Sequence, residues 1–345
     1  MDIKKQIKSQ ILSNNKYLRL DKFISYALYS KNGYYNNNKP IGKNKDFITA
    51  PEISQAFGEI IGIYLFYIWK TKIKSKFDLI ELGPGKGTLF NDINNSVLNY
   101  PDFLNSTKVT FIEINKNLIK IQKQNIKNLP YNNIRWQKEI NFKSKIPAII
   151  YSNEFFDCFP VRQFILQDFW YEKYVGFNRS DDKFYIKDKK VENKKIISLL
   201  NNYKKEKILE ISFERNKYFE KICKFIKNKG GLFFTIDYGY LTNIRNFTLQ
   251  AIQNHKFSHV LENVGDKDIS SHVNFNDFLN IAHSYKLNIE ECCTQREFLI
   301  KYGILERVKN LYKFKNNKQI SSQVDRLINN KEMGNLFKCL IISNL

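Results

Sequence analysis

"FDLIELGPGKGTLF", residues 77–90, decides the fold. Phe77 to Leu82 is a short apolar run that stops at three glycines on alternate positions, Gly83, Gly85 and Gly87. Such a run, bounded by turn residues, predicts a buried strand. From Thr88 the spacing turns helical, so the order is strand, glycine loop, helix. Glycines at this point allow a tight turn and the close approach of a ligand to the backbone. Pro84 stiffens the turn by fixing φ. The G-x-G-x-G spacing is neither the G-x-G-x-x-G dinucleotide fingerprint nor a P-loop, which needs a Gly-Lys-Ser/Thr.

The same alternation continues downstream. "KVTFIEI" (108–114), "NIRWQ" (133–137) and "IPAIIYSNEF" (146–155) read as strands, with a helix over "NKNLIKIQKQNI". This pattern predicts a parallel, doubly wound α/β sheet. Residues 161–190 break it with an inserted β-hairpin region, followed by a lysine-rich stretch. A helix over 213–229 leads to a fifth strand, "GGLFFTIDYGY" (230–240), with Asp237 near its end. Residues 241–274 read as a long irregular connection, a length that often carries function. "NFNDFLNIAHSYK" is a helix, and "NIEECCTQREFLI" with "FKCLIISNL" reads as an antiparallel pair closing the sheet. Upstream, 17–30 and 53–70 have helical spacing around an irregular segment, 31–52.

Ligands of open α/β sheets sit beyond the carboxyl ends of the strands. Glu113, ending the second strand, is placed to accept the ribose hydroxyls of a nucleoside; alternatively it is a surface acid. Glu81, just before the glycines, would repel a pyrophosphate and attract a cation, which favours a sulfonium or amino-acid end and hence S-adenosylmethionine. "SNEFFDCFP" (152–160) brings Asn153, Glu154 and Asp157 to the end of the fourth strand, either as ligand-facing groups or as caps of a helix start. In "DFITAPEIS" (46–54), Glu52 lies in a loop able to close over the ligand, or at a helix start with Thr49 as cap and Pro51 in the first turn.

The net charge is +22 over 345 residues, which ordinarily points to nucleic acid or an anionic membrane. Here the lysines are spread along the whole chain among many asparagines and isoleucines, so the expectation is a generally basic surface without a specific nucleic-acid site. The longest apolar run, "IIGIYLFYIW" (60–69), is shorter than the ~20 residues of a membrane span. Five cysteines without a CxxC pair suit free thiols in a reducing compartment, and no ligand cluster has metal spacing. The N-terminus lacks a secretory signal, which implies a cytoplasmic location, or the mitochondrial matrix in a eukaryote.

Taken together, "GYY…DFITAPEISQAFGEIIG", "ELGPGKGTL", "NEFFDCFPV" and "DYGY" resemble the MidA-like family of methyltransferases. "TLQAIQNHKFSHVLENVGDKDISSHVNF" is similar to the family's long connection, "QREFLIKYGI" to its late strand and turn, and "KEMGNLFKCLI" to its final segment. The family includes a mitochondrial complex I assembly factor that methylates an arginine of a complex I subunit. The resemblance implies a class I, Rossmann-like methyltransferase fold over residues 77–345, with insertions near 161–210 and 241–274 and an N-terminal helical lid over 1–76. It implies S-adenosylmethionine held by Glu81, Gly83, Gly85, Gly87, Thr88, Glu113 and Asn153, and a protein arginine as substrate. Cys158 and Phe159 depart from the family's commoner small or aliphatic residues.

A protonated guanidinium is a poor nucleophile, and a carboxylate pair can orient it and localise its charge. Glu154 is the first candidate for that role, with Glu52 or Asp157 as its second carboxylate. Two alternatives are an assembly factor that binds a complex I subunit without catalysis and an RNA methyltransferase. The second is disfavoured because "NEFF" stands where base methylation often uses an Asn/Asp-Pro-Pro-aromatic motif.

Overall fold

The computed structural model describes residues 2–36, 49–131, 134–141, 144–242, 244–253, 256–312 and 317–345. Asp46, Phe47 and Ile48, read above as part of the loop before Glu52, lie outside them. The chain opens with α1 (Ile3–Ser13), the short strand β1 (Leu18–Arg19) and α2 (Leu20–Tyr29). The four-residue helix α3 (Ala50–Ile53) then leads into α4 (Gln55–Ile68), most of which is buried.

The central layer starts with β2 (Phe77–Leu82), α5 (Thr88–Val97), α6 (Pro101–Ser106), β3 (Thr107–Ile112), α7 (Lys116–Asn125), β4 (Ile134–Gln137) and β5 (Ala148–Asn153). An insertion follows, with β6 (Arg162–Leu166), β7 (Trp170–Asn178), β8 (Lys183–Lys190), α8 (Lys194–Asn201) and β9 (Ile208–Ile211). Then come α9 (Phe213–Lys229) and β10 (Gly231–Tyr240). The connection holds β11 (Gln250–Gln253), β12 (Lys256–Ser258), β13 (Asp268–Ser270) and β14 (Val273–Asn274). The chain finishes with α10 (Phe275–Ser284), β15 (Asn288–Thr294), α11 (Gln295–Lys301), α12 (Ile304–Tyr312), α13 (Asn317–Ile328), α14 (Met333–Leu336) and β16 (Phe337–Asn344).

The main sheet runs β15-β16-β10-β5-β2-β3-β4, with β14 attached to β10. Strands β10, β5, β2, β3 and β4 are parallel, and β16 is antiparallel to both β10 and β15. Strands buried on both faces need near-continuous apolar sequence, which is why β2, β5 and β10 are legible as runs. Phe77 and Leu79 pack with α4 and α5, while Ile80 and Leu82 pack with α9 and α10. The chain steps from β2 outward through β3 and β4, then returns to the other side at β5. That reversal is the topological switch point, where a ligand crevice opens at the strand ends. Leu82 lies opposite both Ile112 and Ser152, and Asn153 opposite Ile236. Gly83, Glu113, Glu154 and Asp237 therefore share one edge.

Three segments differ from the sequence expectation. Residues 295–301 form a helix instead of extending the late strand, because Thr294 and Glu297 make a reciprocal capping box that starts α11. The 241–274 connection is not wholly irregular: β12, β11 and β13 form a small antiparallel sheet. Strands of three or four residues are too short to show a period. Finally, no helix follows "SNEFFDCFP"; residues 154–160 are turn and bend.

The N-terminal segment does not stand apart. β1 pairs with β7, and α1 and α2 share a core with Val175, Phe184, Ala251, Leu261 and Ile269 of the insertion and the connection. This lobe stands over the carboxyl edge of the main sheet. Among the described residues, no helix is long and apolar enough to cross a membrane.

Candidate active site

A cavity of about 560 Å³ opens at the switch point. That volume is within the roughly 300–1,000 Å³ usual for small-molecule sites. Its walls come from the main sheet edge, from Tyr29, Tyr34 and Tyr35 of the N-terminal lobe, and from β11–β13.

On one side lies the glycine loop. Gly83, Gly85 and Gly87 have φ of +62°, +57° and +83°, a left-handed region that favours glycine. A Cβ on Gly85 would meet nothing within 4 Å, so this backbone faces open space in the cavity wall. A Cβ on Gly83 would press on the Phe155 ring at 2.9 Å, so that glycine is needed for packing. Gln122 fixes the geometry: its amide nitrogen donates to Gly85 O at 2.8 Å and to Glu113 Oε2 at 3.1 Å, while Trp136 Nε1 donates to its oxygen at 2.9 Å. Glu113 accepts the Asn115 N–H at 2.8 Å and lines the cavity. Burial raises its carboxyl above the ordinary value, opposed by these hydrogen bonds. An open glycine cradle beside a held carboxylate fits a nucleoside.

The other side is the turn after β5. Glu154 sits at φ +51°, a conformation costly outside glycine and one that clusters at functional sites. Asp237 maintains it: Oδ2 accepts the N–H of Phe155 at 3.0 Å and of Phe156 at 2.7 Å, and Oδ1 accepts that of Tyr238 at 2.9 Å. Arg215 ties the turn from beneath, donating to Phe156 O at 2.8 Å, His272 O at 3.1 Å and Ser271 Oγ at 2.8 Å. Glu154 Oε1 accepts the Ala50 N–H at 3.2 Å and the Asn153 amide at 3.1 Å. Burial, then the nearby charge of Asp157, pushes Glu154 up to about 8. Burial pushes Asp157 up to about 6, with the Arg215 guanidinium holding it down.

The structure brings Gly83, Gly85, Glu113, Glu154 and Asp157 to the cavity wall but not the other predicted residues. Glu52 is in the helix start, not an open loop, and both its oxygens are engaged: Thr88 Oγ1 donates at 2.5 Å and Lys86 Nζ at 3.2 Å. That leaves Asp157, rather than Glu52, in the cavity beside Glu154, and it leaves Thr88 braced behind the loop. Glu81 belongs to the β2 face turned toward α4 and α5, where it is buried and takes the Tyr151 hydroxyl at 2.9 Å. Gly87 is the N-cap position of α5, and Asn153 orients Glu154 from behind.

Four residues were missed by sequence reasoning. Gln122 and Arg215 are the buried fasteners just described. Asp268 lines the cavity and accepts the Tyr35 hydroxyl at 3.0 Å, and the Tyr35 carbonyl in turn accepts the Asn115 amide at 2.5 Å. The lid turn is thus bound on one side to the Glu113 edge and on the other to the connection. In the protein of net charge +22, the cavity is acidic: among the described residues, Glu113, Glu154, Asp157, Glu214 and Asp268 line it against one cation, Lys138. Tyrosine and phenylalanine rings fill much of the remaining wall. Carboxylates among aromatic faces suit a cation.

Comparison with known proteins bears on the family and the fold. A family model described as "Putative S-adenosyl-L-methionine-dependent methyltransferase" matches residues 60–292. The chain is 30% identical over 303 residues to "Protein arginine methyltransferase NDUFAF7 homolog, mitochondrial" of Caenorhabditis elegans, covering 81% of this chain and 71% of that one. It is 27% identical over 334 residues to "Protein arginine methyltransferase NDUFAF7, mitochondrial" of Homo sapiens, covering 88% and 75%. A crystal structure from Burkholderia thailandensis, bound to S-adenosyl-homocysteine, superposes with a TM-score of 0.87 at 19% identity, covering 99% of this chain and 92% of that one.

Proposed function

The chain belongs to the family of S-adenosylmethionine-dependent methyltransferases, and from that premise we propose that it methylates an arginine of a protein, a subunit of respiratory complex I. The observation that carries the arginine reading is the acidic, aromatic cavity inside a strongly basic chain. It would repel a polynucleotide backbone and welcome a guanidinium. The relatives named protein arginine methyltransferases support the same substrate chemistry, and complex I follows from the MidA-like resemblance.

In this reading Gly83, Gly85 and Glu113 hold the adenosine end of S-adenosylmethionine, and Gln122 keeps that cradle in shape. When bound, the cofactor supplies a methyl group made electrophilic by its sulfonium. Glu154, with Asp157 beside it, orients the guanidinium so that one nitrogen faces the methyl, and much of the rate comes from that positioning. Both carboxyls are held above their ordinary values in the free protein, chiefly by burial, so an arriving cation offsets the cost of ionising them there. The nitrogen forms its bond to carbon as the carbon–sulfur bond breaks, and the proton it then releases passes to Glu154, whose proton affinity is already raised. The lid tyrosines exclude water.

Labelled S-adenosylmethionine, incubated with the protein and isolated complex I subunits, tests the reading by mass spectrometry. Methylarginine on one subunit supports it. Label only on lysine, on a small molecule or on RNA would replace it.

A further inference from the structure

We propose that the small sheet β12-β11-β13 is a docking wall for the stretch of substrate chain around the target arginine, and that it selects apolar rather than basic neighbours. This rests on the arginine reading.

The sheet registers place Asp268 opposite Ile252 and Ile252 opposite Phe257, so one row crosses all three strands. All three residues line the cavity. The row is polarised: an acid on β13, tied to the Tyr35 hydroxyl, then Ile252, then Phe257, whose exposure reaches 79%. On the facing rim Leu336 is 43% exposed, and Phe337 packs on Tyr238 with ring centroids 5.4 Å apart. An aromatic this exposed gains nothing for the fold where it stands. Aromatic anchors at the edge of a pocket are characteristic of protein recognition.

The anchor is held in place at some cost. Lys267 is fully buried, and its ammonium donates to Ser258 Oγ at 2.6 Å and to the His259 carbonyl at 2.6 Å, the two residues after Phe257. Burial lowers its pKa. A buried ammonium is tolerated only when hydrogen-bonded, and here those bonds fasten the strand that carries Phe257.

The occupant follows from charge and from continuity with the cavity. The acids inside receive one cation. Outside, the chain carries a net charge of +22, with Lys256 next to Phe257 and Lys338 next to Phe337 in sequence, so further lysines or arginines beside the target would be repelled. A segment with apolar neighbours would place its arginine beside Glu154, Asp157 and Asp268 and its flanks on Ile252, Phe257, Leu336 and Phe337.

The test uses the full protein loaded with S-adenosylhomocysteine and short peptides with a central arginine flanked by leucine, glycine or lysine. Binding is read by fluorescence anisotropy, and methyl transfer is read separately with labelled S-adenosylmethionine. Leucine flanks are expected to bind roughly tenfold tighter than glycine flanks, with lysine flanks weakest. Phe257→Ala should abolish the leucine advantage and leave glycine-flanked binding, cofactor affinity and melting temperature unchanged; Phe257→Leu should restore most of it. Equal binding of leucine and glycine flanks, or an advantage that survives Phe257→Ala, overturns the docking wall even if arginine is methylated. A leucine advantage that depends on Phe257, with no methyl transfer to any arginine peptide, upholds the wall and overturns the arginine reading.

Discussion

The backbone N–H of Ala50 donates to the carboxylate of Glu154 at 3.2 Å, while the hydroxyl of Thr49, the residue in the N-cap position, makes no capping bond. The acid at the centre of the cavity therefore also finishes the helix that carries Glu52, and Glu52 braces the glycine loop through Thr88. One short chain of contacts joins the two halves of the site.

The Glu154→Gln variant should keep this link, because an amide oxygen still accepts the Ala50 N–H. Cofactor affinity by calorimetry should stay within a few-fold. Methyl transfer should fall roughly 10²–10³-fold, since the amide supplies no charge to hold a guanidinium. Transfer at the wild-type rate would move the role to Asp157.

In the wild type, kcat/KM should rise with pH with a midpoint near 8, where the Glu154 carboxyl of the free protein ionises. A bound cation pulls that proton off more easily, so the limb in kcat should lie at lower pH. A flat kcat/KM between pH 6 and 9 would contradict this.

Gly85→Val should abolish binding of S-adenosylmethionine and S-adenosylhomocysteine by calorimetry. The new side chain would enter the open space over the loop, and its φ of +57° is strained for a branched residue. The melting temperature without cofactor should drop only modestly. The wild type should show no comparable affinity for NAD, and equal binding of NAD would overturn the assignment of the cradle.

Glu81 offers a stability test away from the chemistry. Burial raises its carboxyl from 4.5 to about 8, opposed by the Tyr151 bond. Because the folded value is raised, the stability it contributes is complete below about 4.5 and is lost as pH rises through 8. Glu81→Gln does not titrate, so its melting temperature should gain on the wild type by roughly 5 °C between pH 5 and 9. A constant gap would mean that the acid is not desolvated.

Asp237→Asn should slow methyl transfer at least tenfold and lower the melting temperature, with cofactor affinity nearly unchanged. One end of the amide can still accept the Phe155 and Phe156 N–H groups, but the other then presents a donor to the Tyr238 N–H. Loss of cofactor affinity in step with activity would place the damage in the glycine loop instead.

The central sheet was legible because parallel strands buried on both faces appear as apolar runs, and the glycine loop because its φ values admit few other residues. Glu113 and Glu154 reach the cavity wall because they stand at strand ends. What escaped depends on distant pairing: Arg215 holds a carbonyl 59 residues earlier, and Tyr35 reaches an acid 233 residues later. No local pattern encodes such contacts. Gln122 did leave a trace, since it falls four residues after Leu118 on the buried stripe of α7, where an apolar residue would be expected. Glu81 and Glu52 do not line the cavity, for a related reason. Glu81 shares a face of β2 with Phe77 and Leu79 and meets Tyr151, and Glu52 turns to Lys86 and Thr88.

The lobe over the sheet is built from the beginning and the middle of the chain, and this has a consequence for biosynthesis. Phe23 and Ala27 share one apolar cluster with Phe184, Ala251 and Ile269 as well as with Ile3, Ile7 and Ile11 of α1. At ~5–20 residues per second on the ribosome, α2 emerges on the order of tens of seconds before β13 exists. During that time its apolar face has only part of its native cover, from α1, so the nascent chain is a natural client for a chaperone, and the mouth of the cavity is among the last parts of the molecule to take shape.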